Sequence, residues 1–150
     1  AWRALGHALP VCIIQFIKGK WKYGELKTAE RFRGLLDFHV AGQGFTWNSK
    51  DPDRDRAAAR EGWERAKTAI QSGRYHLVIL DEFTWAVNLG MVEEKEALEV
   101  FKAKPEKLHV LLTGRNASNG FLEIADLITE MQEIRHPFRA GIRAQKGMEW

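Results

Sequence analysis

The sequence predicts an α/β fold, a three-layer sandwich around a mainly parallel sheet, formed by a single domain. Short, continuously apolar runs recur at Val11–Ile17, Leu77–Leu80 and Leu108–Leu112; such runs suit strands buried on both faces of a parallel sheet. Stretches of helical periodicity lie between them, the longest carrying Ala59, Trp63, Ala66 and Ile70 along one stripe. Strands alternating with helices at the spacing of βα units imply helices layered over the sheet.

A chain of 150 residues suits one domain with a sizeable core. Hydrophobic residues make up 45% of it, yet no apolar run approaches the roughly 18 residues that a membrane span needs. With 23 basic against 20 acidic residues the net charge is +3, and the basic residues are dispersed, which points away from nucleic acid as a partner. Cys12 is the only cysteine and lies within an apolar run. It reads as a small buried hydrophobe, an intrachain disulfide is impossible, and a reducing cytoplasm is the natural compartment. No two of the five histidines stand at zinc-ligand spacing.

In chain order, Ala1–His7 reads as the end of a helix. Trp2, Leu5 and Leu9 fall at helical spacing, Gly6 is a stop and Pro10 stands just beyond, so a segment upstream of Ala1 is expected. The strand Val11–Ile17 opens into Lys18-Gly19-Lys20, which suits either phosphates or a solvated turn. Glu25–Arg33 is a short amphipathic helix with Leu26, Ala29 and Phe32 inward, and Phe38–Val40 a brief strand. The glycine-rich stretch Ala41-Gly-Gln-Gly-Phe-Thr-Trp47 carries two large aromatics in a loop; Phe45 and Trp47 are either tucked into the core or offered to a ligand. Asp51-Pro52 caps a helix that runs to about Ser72 and ends at Gly73.

The strand Leu77–Leu80 ends in Asp81-Glu82. Two carboxylates at the carboxyl end of a central strand sit at the rim where open α/β sheets bind ligands. This is the arrangement of a Walker B element, in which a carboxylate helps to hold Mg²⁺ beside nucleotide phosphates. The pair equally suits an acidic helix N-terminus, and Phe83–Leu89 follows as a short helix. Glu93–Ala103 is a helix with Ala97, Val100 and Phe101 inward, stopped by Pro105. Leu108–Leu112 is a buried strand released into Thr113-Gly-Arg-Asn116, where Arg115 is either a phosphate clamp or a surface arginine. A helix over Gly120–Ala125 and a last strand over Leu127–Ile134 follow. The tail from His136 to Trp150 reads as an extended arm laid over the domain.

Several motifs occur in one order over nearly the whole chain: Arg3-Ala-Leu-Gly-His7, Ile14-Gln-Phe-Ile-Lys-Gly19, Gly44-Phe-Thr-Trp47, Leu80-Asp-Glu82, Leu112-Thr-Gly-Arg-Asn116, Ala125-Asp-Leu-Ile-Thr-Glu-Met131 and His136-Pro-Phe-Arg-Ala-Gly-Ile-Arg-Ala-Gln-Lys-Gly147. Each is weak alone; together they resemble the RecA-like ATP:corrinoid adenosyltransferases. The resemblance implies a RecA-like, P-loop NTPase type of sheet and a reaction. Cob(I)alamin or a related corrinoid attacks C5′ of ATP, forming the adenosyl-cobalt bond and releasing triphosphate, in adenosylcobalamin biosynthesis or salvage.

The resemblance further implies roles. Glu82, with Asp81 close by, would serve Mg²⁺ (or Mn²⁺), and Lys18 and Arg115 the phosphates, with Arg3 a lesser nucleotide contact. Phe45 and Trp47 match the family's aromatic pair beneath the corrin ring. Apolar groups there exclude the lower axial ligand and leave four-coordinate cobalt(II), which is easier to reduce to the cobalt(I) nucleophile. A flavoprotein reductant and a homodimer are implied likewise. Two departures stand out. The family's glycine-rich, Lys-Ser/Thr phosphate loop is not found in residues 1–150 and is expected upstream, and Phe83 stands where leucine is usual. The competing readings are a non-catalytic corrinoid-binding fragment and a generic P-loop ATPase.

Overall fold

The computed structural model describes residues 1–17, 24–41 and 52–148. It contains a four-stranded, all-parallel sheet of β1 (Val11–Gln15), β2 (Leu36–Val40), β3 (Leu77–Asp81) and β4 (His109–Leu112) in the order β2-β1-β3-β4. The helices are α1 (Trp2–Gly6), α2 (Gly24–Arg31), α3 (Pro52–Gln71), α4 (Phe83–Asn88), α5 (Glu94–Lys102) and α6 (Asn119–Ile124), with a 3₁₀ turn at Pro137–Ala140. Helices flank the sheet, as the alternation of periods in the sequence requires.

One face of the sheet is closed over its two central strands. Cys12, Ile14, Val78 and Leu80 point to it, and α3 covers it with the predicted stripe Ala59, Trp63, Ala66 and Ile70, all buried. Phe83, Phe101 and Phe121 from α4, α5 and α6 complete the layer. Trp63 packs against Phe83 and Phe101 with ring centroids 5.3 and 5.9 Å apart. Alpha-carbon hydrogens alone at Gly62 let α3 approach the end of β2, since a Cβ there would lie 2.4 Å from that of Ala41. Lys67 of α3 bridges to Glu96 of α5 at 2.7 Å. The Glu64 and Glu96 carboxylates beside it hold the lysine charged to higher pH than usual, and Lys67 in turn holds the Glu96 carboxyl below its usual range. Cys12 is buried, as expected. Burial, reinforced by the nearby Asp37 carboxylate, pushes its thiol up to about 12 and so leaves it protonated and unreactive at neutral pH.

The opposite face is covered more thinly, by Leu5 of α1 and Ala29 of α2 among others. Leu77 and Ile79 of β3 are only partly buried on that side, so the expectation of a strand buried on both faces holds fully on one. β4 departs further: His109 and Leu111 are exposed, the latter by 46%, because they lie on the same thinly covered face, in register with Leu77 and Ile79, on the end strand of the sheet. The strand expected over Leu127–Ile134 is absent. That stretch forms no ladder, and Leu127 and Met131 are 86% and 92% exposed. Strand-forming residues make a strand only where a neighbour accepts their hydrogen bonds. The tail is not laid over the domain either: residues 136–148 are all exposed. They fold locally, with His136 capping the 3₁₀ turn through Nδ1 and Arg139 paired to Glu133 at 2.8 Å.

Candidate active site at the carboxyl edge of the sheet

β1 and β3 run side by side in parallel, which puts Gln15 directly opposite Asp81 at their carboxyl ends. The Asp81 carboxylate is gripped from both flanks. Gln15 Nε2 donates to one oxygen at 3.1 Å, and Thr113 Oγ1, just past β4, donates to the other at 2.8 Å. Three strand ends are thereby tied through one side chain. The main chain repeats the tie, with Phe16 N–H donating to the Asp81 carbonyl and Thr113 N–H to that of Leu80.

Glu82 follows in a left-handed conformation, φ 59° and ψ 26°, and is the N-cap of α4. A non-glycine residue held there carries about 1–3 kcal/mol of strain. Its N–H donates to Thr113 Oγ1 at 2.9 Å, so the same threonine that fixes Asp81 also fixes the turn. The turn sends the chain straight from the strand into α4, whose first residue, Phe83, is fully buried. The bulk of Phe83 is thus absorbed by the core, where it meets Phe16, Trp63, Phe101 and Phe121.

The loop after β4 is strapped to α4. Buried Thr84 donates through Oγ1 to the Arg115 carbonyl at 2.8 Å, and Asn88 Nδ2 donates to the carbonyls of Arg115 and Asn116 at 3.1 Å each. Gly114 makes the approach possible. Its φ is 141°, and a Cβ there would fall 2.1 Å from Thr84 Oγ1. Arg115 is therefore fixed by its backbone while its side chain is exposed at the same edge as Asp81 and Glu82.

Arg3 is exposed on α1, beside Trp2, whose ring packs edge-on against Phe32. Phe32 precedes β2, so α1 belongs to the end of the sheet where the strands begin, and the described residues show no contact between Arg3 and the acidic pair. Lys18, Phe45 and Trp47 lie outside the described residues. Gln15 and Thr113 were not singled out by sequence reasoning, although both stand inside motifs that were. The only local signal is a polar residue closing an apolar strand.

The donor set suits a hard cation that keeps most of its own shell. Asp81 and Glu82 offer carboxylate oxygens, and no group of three or more His, Cys, Asp or Glu gathers among the described residues. Mg²⁺ is commonly held by one or two carboxylates and completed by water and substrate phosphates.

Comparison with known proteins shows the family of the chain. The family described as "ATP:corrinoid adenosyltransferase BtuR/CobO/CobP" matches residues 1–150. The chain belongs to this family. A corrinoid adenosyltransferase of Sinorhizobium is 42% identical over 151 residues, covering 99% of this chain and 71% of that protein. One from Pseudomonas aeruginosa is 43% identical over 148 residues, covering 99% and 73%. One from Escherichia coli K12 is 35% identical over 150 residues, covering 100% and 76%. The chain is therefore an ATP:corrinoid adenosyltransferase, and no helix among the described residues is long and apolar enough to cross a membrane.

Proposed function

We propose that this adenosyltransferase moves the 5′-deoxyadenosyl group of ATP to the cobalt of a reduced corrinoid, cob(I)alamin or cobinamide, at the edge carrying Asp81, Glu82 and Arg115. Family membership across the whole chain carries this reading. The reaction forms one bond, cobalt to C5′, and breaks one, C5′ to oxygen. The electron pair comes from cobalt(I), and triphosphate leaves with the pair from the broken bond. A large negative charge then departs, and cationic and metal groups must already stand where it develops.

Glu82 and Asp81 are assigned to the metal, with Gln15 and Thr113 holding the two Asp81 oxygens in place. When bound, Mg²⁺ or Mn²⁺ would offset charge along the triphosphate. Arg115 and Lys18 are assigned to the phosphates, Arg3 to a lesser nucleotide contact, and Phe45 and Trp47 to the lower face of the corrin. A homodimer and a flavoprotein reductant, which the family resemblance supports, and a cytoplasmic setting, which the single buried Cys12 supports, complete the reading.

The aromatic pair gives a test of the corrinoid role. Replacing Phe45 or Trp47 with alanine or histidine in the full-length protein is expected to cripple turnover from cob(II)alamin with a protein reductant. Turnover of chemically prepared cob(I)alamin should survive far better, because the nucleophile then need not be made on the enzyme. Equal losses in both assays together with a lowered melting temperature would assign the pair to the core instead.

A further inference from the structure

Gln15 is 4% exposed, and its amide is only half used. Nε2 donates to Asp81 at 3.1 Å, whereas Oε1 has no hydrogen-bond partner among the described residues. Leaving a buried acceptor unmade is costly, and such groups in native proteins call for an explanation. An apolar residue of similar size would fill the same space without that cost. What sets this position apart is its neighbourhood. It closes β1 at the ligand-binding rim, in register with Asp81 and one residue from the strained Glu82 turn.

We infer that Gln15 is a binding residue for the metal–nucleotide complex, its Oε1 accepting a hydrogen bond from a water carried on the divalent cation while its N–H holds Asp81 in place. This rests on the assignment of Asp81 and Glu82 to the metal. Divalent magnesium and manganese arrive with water in their coordination shell, and each such water is a strong O–H donor that needs an acceptor once solvent is excluded. An amide oxygen meets that need without adding another negative charge beside Asp81. The donor that Oε1 lacks in the free protein is then supplied by the ligand.

The test uses Gln15→Met and Gln15→Leu in the full-length protein, both apolar and close in volume to glutamine, with Glu82→Gln alongside. Binding of Mn²⁺ and ATP is measured by electron paramagnetic resonance and calorimetry well below the melting temperature, with ATP in EDTA as the metal-free arm. The Gln15 variants should bind Mn²⁺–ATP about 10-fold or more weakly, bind metal-free ATP like the wild type, and melt no lower than wild type by more than a few degrees. Unchanged Mn²⁺–ATP affinity in both variants would overturn the inference, whatever their melting temperatures. So would equal weakening with and without metal, which would mark a distorted edge or a direct nucleotide contact. If Glu82→Gln leaves Mn²⁺ binding intact, the metal assignment itself fails; if it weakens binding while the Gln15 variants do not, only the inference about Gln15 fails.

Discussion

Glu82→Gln in the full-length protein is expected to lower adenosyl transfer by about 100-fold or more at saturating Mg²⁺ while leaving the circular dichroism and melting curve unchanged. An amide has the shape of the carboxylate but not the charge that orders a hard cation. The fold should register the change little, because the contact that locks the turn is made by the Glu82 main-chain N–H to Thr113, which the substitution leaves in place. A second substitution separates strain from chemistry. Glu82→Gly removes the side chain from a left-handed position, φ 59°, that glycine adopts freely. It should abolish transfer and yet leave stability unchanged or raised by up to about 1 kcal/mol. Near-normal turnover of Glu82→Gln would remove this residue from the mechanism.

The largest effect on stability is expected at Trp63. The side chain is fully buried between α3 and the aromatic cluster of Phe83 and Phe101. Trp63→Ala should cost about 3–5 kcal/mol, a drop of roughly 6–20 °C in melting temperature. Trp63→Phe should retain most of that stability. The effect reaches the site through Phe83, which follows Glu82 directly and rests on the Trp63 ring, so residual activity of folded Trp63→Ala should also fall. A loss below about 1 kcal/mol would contradict the packing of α3 on this face.

The parts legible in the sequence are those set by local pattern. The 4, 3, 4 spacing of Ala59, Trp63, Ala66 and Ile70 fixed the buried face of α3, and all four are buried. The apolar run ending in Asp81-Glu82 located an inner strand and the acidic rim. What the sequence hid depends on neighbours far along the chain. β4 looked buried because its residues are apolar, but burial of Leu111 depends on what lies beside and above the strand. Leu127–Ile134 has strand-like composition but no ladder to join. Gln15 gave no warning either: its meaning comes from a partner 66 residues away. The strap from Thr84 to Arg115 was equally invisible, since it requires Gly114 in a backbone conformation that only the folded loop imposes.

The most direct test is to mix full-length protein, ATP, Mg²⁺ and chemically reduced cob(I)alamin, and to follow both the corrinoid absorbance and the phosphate product. An adenosyltransferase acting at this edge converts cob(I)alamin to adenosylcobalamin and releases one intact triphosphate for each cobalt–carbon bond formed. Release of ADP and phosphate with no cobalt–carbon bond would contradict the account and mark a P-loop ATPase instead.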